Sequence, residues 1–439
     1  MSAAVAAALA AAFLEAPWRA EELAAAGRRA LGLRRAAWLE RLAADVVERH
    51  PHPPCDAPRA FTALLAAHAE LRAASAAAHR RGHPLRVRHL AAVPARMGRA
   101  RWPVPALDGA ADLAALLGVG AGELEWFADP RGWQRRAEGA ALHHYRCAWV
   151  AKRGAPRLLE APKPRLRELQ RRLLREVLDA VPATPVAHGF VPGRSAVTGA
   201  REHCGADVVV HVDLTAFFAS VGAARVYRAF RSLGYPEAVA HLLTGLTTHA
   251  APARELRAMP PGGDPDERFA LRQRLSAAHL PQGAPTSPAL ANLCARSLDR
   301  RLAGLADALG ASVTRYADDV TFSGGPALAA GAQRLVRCVG RLAAEEGFAL
   351  NPAKTTVRGR AERQLVTGVV VNERPNPVRA EVDRLRAVLH RCAVHGPASV
   401  RAPGGVDLRA HLAGRLGWVE AVSPSRGRRL RAAFDAIAW

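Results

Sequence analysis

The chain has 439 residues, more than one hydrophobic core ordinarily organises, so two or three structural units are expected. Lys and Arg number 62 against 39 Asp and Glu, a formal charge of +23; solubility does not require so much, and a polyanionic partner is implied even after allowing for GC-rich codons that inflate Arg and Ala. Aromatic residues at 5% exclude a stacking platform as the main binding device, which leaves neutralisation of RNA or DNA phosphates, with its salt dependence, as the source of affinity.

From the start to about Glu138, Ala, Leu, Arg and Glu recur with helical spacing, interrupted at His50-Pro51-His52-Pro53-Pro54 and around Pro103 and Pro105. Phe13, Leu14, Trp18, Leu39 and Leu42 are placed to form a packed face, so an ordered all-α region is predicted. Ala3 to Leu14 is apolar but mostly Ala, lacks a basic leader and meets Glu15 and Arg19 at once, which reads as a helix of a soluble, cytoplasmic protein with no membrane segment. The six cysteines stand singly, without a C-x-x-C pair, and fit neither a disulfide framework nor a zinc site; a reducing compartment is expected.

From Leu142 the pattern becomes β-like, with a hairpin predicted about the turn Lys152 to Arg157. A basic helix from Pro164 to about Val181 follows, then a Gly-containing loop from His188 to Ser195, then the apolar strand Val208 to Val212. After a helical stretch comes a polar Pro/Gly insertion near Pro260 to Asp266. Beyond Asn292 the reading is helix, acidic turn at Tyr316 to Asp319, strand Val320 to Phe322, helix to Glu346, strand Val366 to Val371, and a basic helical end.

Chemistry concentrates at Asp213, which ends the apolar strand, and at Asp318-Asp319 in the turn. A carboxylate ending an apolar strand needs a cation or hydrogen bonds, and adjacent carboxylates at a tight turn need a counter-ion. Converging aspartates are what nucleotidyl transfer requires to hold two divalent ions, Mg²⁺ being a hard cation that takes oxygen ligands. His143, His144, His188, His203 and His211 lack zinc-ligand spacing and are read as ordinary surface or core residues, or RNA contacts.

Tyr316-Ala317-Asp318-Asp319 followed by Val-Thr-Phe-Ser-Gly resembles the catalytic hairpin of bacterial reverse transcriptases. Lys152 to Gln170, His188-Gly189-Phe190-Val191-Pro192-Gly193-Arg194-Ser195, Asp213 to Val221, Leu280 to Asn292, and Asn351-Pro352-Ala353-Lys354-Thr355 are similar, in order, to further motifs of that family. Val366-Thr367-Gly368 and the end from Leu412 to Trp439 look like the retron enzymes in particular, although no Asn-Ala-x-x-His segment occurs and the first hundred or so residues have no counterpart.

The resemblance implies an α+β right-hand polymerase: a helical N-terminal extension (1–138), fingers and palm (139–360), and a helical thumb with an RNA-binding end (361–439). It implies RNA-directed DNA synthesis from dNTPs, on a cognate non-coding RNA that is both template and primer, started from a guanosine 2′-hydroxyl. The product would be branched RNA-linked DNA (msDNA) serving antiviral defence, with an effector protein encoded nearby as a further partner. By the same resemblance Asp213, Asp318, Asp319 and the carbonyl of Leu214 hold two Mg²⁺ ions. Lys152, Arg157, Phe218, Gln282 and Lys354 contact the nucleotide, and Tyr316, Gly283 and Arg194 the primer and template. Arg157 is expected on the triphosphate, Lys354 beside pyrophosphate, and Phe218 against the sugar 2′ position, with Phe217 in the core. Other bacterial reverse transcriptases (group II intron, diversity-generating, abortive-infection) are the alternative; the chain stops soon after the thumb, which leaves no room for intron modules. A non-catalytic RNA-binding scaffold or antitoxin is the other, against which stand the three aspartates.

Overall fold

The computed structural model describes residues 3–89, 91, 96–137, 139–151, 155–401 and 403–439. They form two compact units, Met1–Val181 with Gly222–Ser287, and Pro182–Val221 with Pro288–Trp439. Among the described residues no helix is long and apolar enough to cross a membrane.

In the first unit, helices Ala3–Glu15, Ala20–Leu31 and Ala37–Arg49 carry apolar residues at helical spacing (Val5, Leu9, Phe13; Leu39, Leu42, Val46). These bury against one another and against Phe61, Leu65 and Leu71 of the next two helices, Pro58–Ala67 and Ala69–Arg80. The helical N-terminal region and its packed face are therefore present, with Trp18 half-buried against the core and its indole N–H donating to the carbonyl of His50 at 2.7 Å. Strands β1 (Tyr145–Val150) and β2 (Arg157–Pro162) form the predicted antiparallel hairpin. The basic helix starts at Pro164 and runs to Leu173, then continues as a π-helical turn over Leu174–Leu178. The polar stretch near Pro260 is shorter than predicted: Asp264 caps a helix over Pro265–Ser276 by accepting from the N–H groups of Asp266 and Glu267.

The second unit is built on a four-stranded antiparallel sheet in the order β4-β5-β3-β6, where β3 is Val208–Asp213, β4 Ser312–Tyr316, β5 Asp319–Gly324 and β6 Thr356–Gly359. The central pair β3 and β5 is buried almost throughout, valine-rich in β3 and mixed in β5, where Val320 and Phe322 alternate with buried Thr321 and Ser323, and helix Pro326–Glu345 packs on the pair with Leu328, Leu335 and Val339 among its buried residues. The run Val366 to Val371 is not one strand. Thr367 (φ 46°) and Gly368 (φ 84°) reverse the chain, so β7 (Leu365–Val366) and β8 (Val369–Val370) form a tight hairpin, joined by β9 (Asn376–Pro377). Helices Arg379–His395, Leu408–Val422 and Pro424–Asp435 close the unit around Leu385, Leu416 and Phe434.

Candidate active site

β3 ends at Asp213, whose register partner on β5 is Asp319; the two-residue turn between β4 and β5 holds Asp318. One carboxylate oxygen from each of Asp213, Asp318 and Asp319 lies within 4.8 Å of the other two. Lys354, on a 3₁₀ turn over Pro352–Lys354, reaches Asp213 Oδ2 with its ammonium at 2.7 Å, and His211 Nε2 lies 3.2 Å from Asp319 Oδ1. Asp213 is only 2% exposed. Burial and the neighbouring charges of Asp319 and Asp213 push the Asp318 carboxyl above the usual carboxylate range. Burial opposes protonation of His211, yet its hydrogen bond to Asp319 and the nearby charges raise it overall. Three carboxylates thus gather around one lysine and one histidine, an excess of negative charge and of hard oxygen donors that suits divalent cations. Leu214 is buried and its N–H donates to the Asp318 carbonyl at 2.9 Å, which ties the end of β3 to the turn.

The turn is held from behind. Ala317 lies at φ 57°, a region costly for an L side chain. Its carbonyl accepts from Arg315 Nη1 at 3.1 Å, and the same nitrogen donates to Asn292 Oδ1 at 3.1 Å. Nε and Nη2 of Arg315 bind the two oxygens of Asp299 at 2.6 and 2.7 Å, and both side chains are 0% exposed. Thr184 donates its hydroxyl to Asp299 Oδ2 at 2.6 Å, and the Asn292 amide donates to the Gly189 carbonyl at 2.9 Å. Gly189 packs so closely that a Cβ there would meet the Ala317 nitrogen at 2.7 Å.

Phe217 is buried, as expected of a core residue, and Phe218 is half-buried. Ala216 (φ 49°) starts a helical turn over Phe217–Ser220, and it is this turn that separates the two rings. Phe190 stands with its ring centroid 6.0 Å from that of Phe218 and 6.2 Å from that of Tyr316. Arg194, expected at a template phosphate, places Nη1 within 2.6–3.0 Å of the carbonyls of Thr184, Pro185 and Ala187. That nitrogen braces its own loop, a role the Gly-Arg-Ser pattern did not suggest.

Arg157, Gln282 and Gly283 belong to the first unit, where Arg157 opens β2; Lys152 lies outside the described residues. The Gln282 carbonyl accepts from the Glu160 N–H at 2.8 Å, and Gly283 (φ 132°) would set a Cβ 3.1 Å from the Glu160 carbonyl. The close approach that this glycine permits is thus to β2 of the protein itself. Behind it, the buried Glu160 binds His249 Nδ1 at 2.7 Å and His279 Nε2 at 2.8 Å. Burial alone would raise its carboxyl, but the two imidazoles hold it at about 2. Cys147 brings its sulfur within 4.8 Å of ligand atoms of Glu160 and His249, a grouping that spacing along the chain had not revealed; both Glu160 oxygens are already hydrogen-bonded, and burial keeps the thiol protonated up to about 12. His144, buried between Trp126 and Phe127 at 5.2 Å from each ring, is a core residue, lowered by burial to about 4.

Residues 150–371 match the family described as reverse transcriptase (RNA-dependent DNA polymerase). The chain is 41% identical over 339 residues to the Retron Mx65 reverse transcriptase of Myxococcus xanthus, covering 75% of this chain and 72% of that protein. Against the Retron Mx162 reverse transcriptase of the same organism it is 36% identical over 361 residues, with 79% and 70% covered. The Retron Ec86 reverse transcriptase of Escherichia coli is 29% identical over 293 residues, with 65% and 79% covered.

Proposed function

The chain belongs to the retron-type reverse transcriptases and is an RNA-directed DNA polymerase, and on that premise we propose that it copies a structured RNA encoded beside its own gene into single-stranded DNA that stays joined to that RNA, beginning from a guanosine 2′-hydroxyl, in antiviral defence. An effector protein encoded nearby is the further partner. The observation that carries the site assignment is the convergence of Asp213, Asp318 and Asp319 on one point, with Asp213 buried, the other two half-buried, and too little positive charge beside them to balance three carboxylates.

In this reading those three carboxylates and the Leu214 carbonyl hold two Mg²⁺ ions, which when bound activate the attacking hydroxyl and neutralise the triphosphate. Lys354 holds Asp213 in place before the nucleotide enters and afterwards offers its proton to pyrophosphate. Arg157, whose planar fork suits phosphate oxygens, and Lys152 bind the triphosphate of the dNTP. Phe218 closes the space beside the sugar 2′ carbon, so deoxynucleotides are accepted. Gln282 and Gly283 form the surface under the template base, Tyr316 packs on the primer end, and Arg194 shapes the loop next to the template. Residues 1–138 act as the helical extension, 139–360 as fingers and palm, and 361–439 as thumb and RNA-binding end.

The experiment is extraction of nucleic acid from cells carrying the native locus, with Asp318→Ala/Asp319→Ala as control. A short DNA that shifts on RNase treatment, maps to flanking RNA through a 2′ branch and vanishes in the control is expected. Absence of any such DNA in cells whose purified enzyme still copies RNA contradicts the branched product while leaving the polymerase intact.

A further inference from the structure

Phe190 combines three properties that a residue of the fold alone does not need. It is 45% exposed, so it is not part of the core. It sits at φ 61°, where a bulky side chain is strained and Gly or Asn would serve a turn better. And its ring lies 6.0 Å from Phe218 and 6.2 Å from Tyr316, tilted by 52° and 38°, beside the two aromatic residues read as sugar gate and primer contact.

Strain of this kind persists only where the surroundings fix it. Here the residue before Phe190 is held through its carbonyl by Asn292, and the one before that donates its N–H to the Arg315 carbonyl at 2.8 Å. The following turn is closed by the Arg194 N–H on the Val191 carbonyl at 3.1 Å. The buried Arg315–Asp299 pair that clamps the catalytic turn therefore also anchors this loop, through Asn292 and Gly189. Phe190, Ala216 and Ala317 all have positive φ, and they precede or flank Phe218, Asp318 and Tyr316. Of the four described non-glycine residues with positive φ in this unit, three are these, and the fourth, Thr367, turns the β7–β8 hairpin.

We infer that Phe190 is a second aromatic wall of the deoxynucleotide pocket, and that it sets sugar selectivity by backing Phe218 from the side away from Phe217. The inference rests on the reading of Phe218 as the gate. Phe217, 5.7 Å from Phe218, fixes that ring on its core side; Phe190 fixes it on the open side. Without Phe190 the gate ring gains rotational freedom, and a 2′-hydroxyl is admitted more readily.

The test uses the full-length protein extending a primer on RNA, comparing kcat/KM for dNTPs with that for rNTPs in Phe190→Leu, Phe190→Asn and Phe218→Ala. An aromatic pair contributes enough that losing Phe190 should lower the selectivity ratio by about two- to tenfold in both variants. Phe190→Asn should melt no lower than the parent, because Asn tolerates this backbone conformation. An unchanged ratio in both Phe190 variants, with a lowered one in Phe218→Ala, overturns the inference and leaves the gate reading standing. An unchanged ratio in Phe218→Ala removes the gate reading and the inference with it. A melting temperature several degrees lower in Phe190→Asn marks the residue as structural and also overturns it.

Discussion

Replacing Arg315 by Met separates what holds the second unit together from what positions the catalytic turn. The guanidinium is 0% exposed and pairs with an equally buried Asp299, so the single substitution strands a carboxylate in the interior. Breaking such a pair from one side costs about 3–5 kcal/mol. For a unit of this size that lowers the melting temperature by about 6–20 °C. The double variant Asp299→Leu/Arg315→Met removes both charges and restores apolar volume, so most of the stability should return. Activity should not return with it. The Ala317 carbonyl, 3.1 Å from Arg315 Nη1, has lost its donor, and a hydrogen bond from a charged group contributes about 1.5–3 kcal/mol, or roughly ten- to a hundredfold in rate if all of it bears on the position of Asp318. The assays are thermal or chemical denaturation, and primer extension on RNA at saturating dNTP. A double variant that regains both stability and full kcat refutes the reasoning, since the turn would then hold its shape without the clamp.

His203, buried between Ser323 Oγ at 2.8 Å and Thr314 Oγ1 at 2.7 Å, is pushed down to about 4 by burial. The unfolded chain therefore takes up its proton first as pH falls, so stability should drop between about pH 6.5 and 4 by about 3 kcal/mol, and His203→Gln should flatten that part of the pH-stability curve. Glu160, held at about 2 by His249 and His279 against the opposing effect of burial, contributes fully above its ordinary carboxylate range and loses that contribution as pH falls from about 4.5 to 2. Glu160→Gln should cost about 3 kcal/mol or more at neutral pH, read by denaturant titration, because one amide cannot serve two imidazoles as acceptor. Gly283→Ala combines φ 132° with a Cβ 3.1 Å from the Glu160 carbonyl; a loss of about 1–3 kcal/mol is expected, with a raised KM for dNTP from displacement of Gln282. A Gly283→Ala variant equal to the parent in both measurements contradicts the close packing of this loop on β2.

The sequence made the two central strands and the acidic turn readable because their signals are local, whereas the edge strand β6, Thr356–Gly359, is too short and polar to carry one. Val208 to Val212 is apolar but for His211, and two adjacent aspartates at a turn between β-like runs have few structural explanations. The brace behind the turn was not readable, because Arg315 finds Asp299 and Asn292 at 16 and 23 residues' separation on helical segments whose periodicity shows only burial, not partner. Glu160 likewise meets His249 and His279 across 89 and 119 residues, so no spacing rule gathers them. Thr367 misled in another way: a residue of β propensity after Leu365-Val366 and shortly before Val369 to Val371 suggests one strand, yet it takes a positive φ so that the hairpin can turn. Phe218 was singled out by the family resemblance, whereas the rotation that frees its ring from the core comes from Ala216, which offers no sequence signal of a left-handed conformation.

The most direct test of the account is incorporation of dNTPs by the purified protein on a primed RNA template with Mg²⁺, comparing the parent with Asp318→Asn. The substitution keeps the shape of the side chain and removes its charge from the group formed with Asp213 and Asp319. The account predicts template-dependent DNA synthesis by the parent and its loss by a factor of a thousand or more in a variant that folds and binds RNA normally, an order of magnitude set by the removal of one metal carboxylate. Undiminished synthesis by Asp318→Asn would contradict the assignment of this cluster as the place where the phosphodiester bond is made.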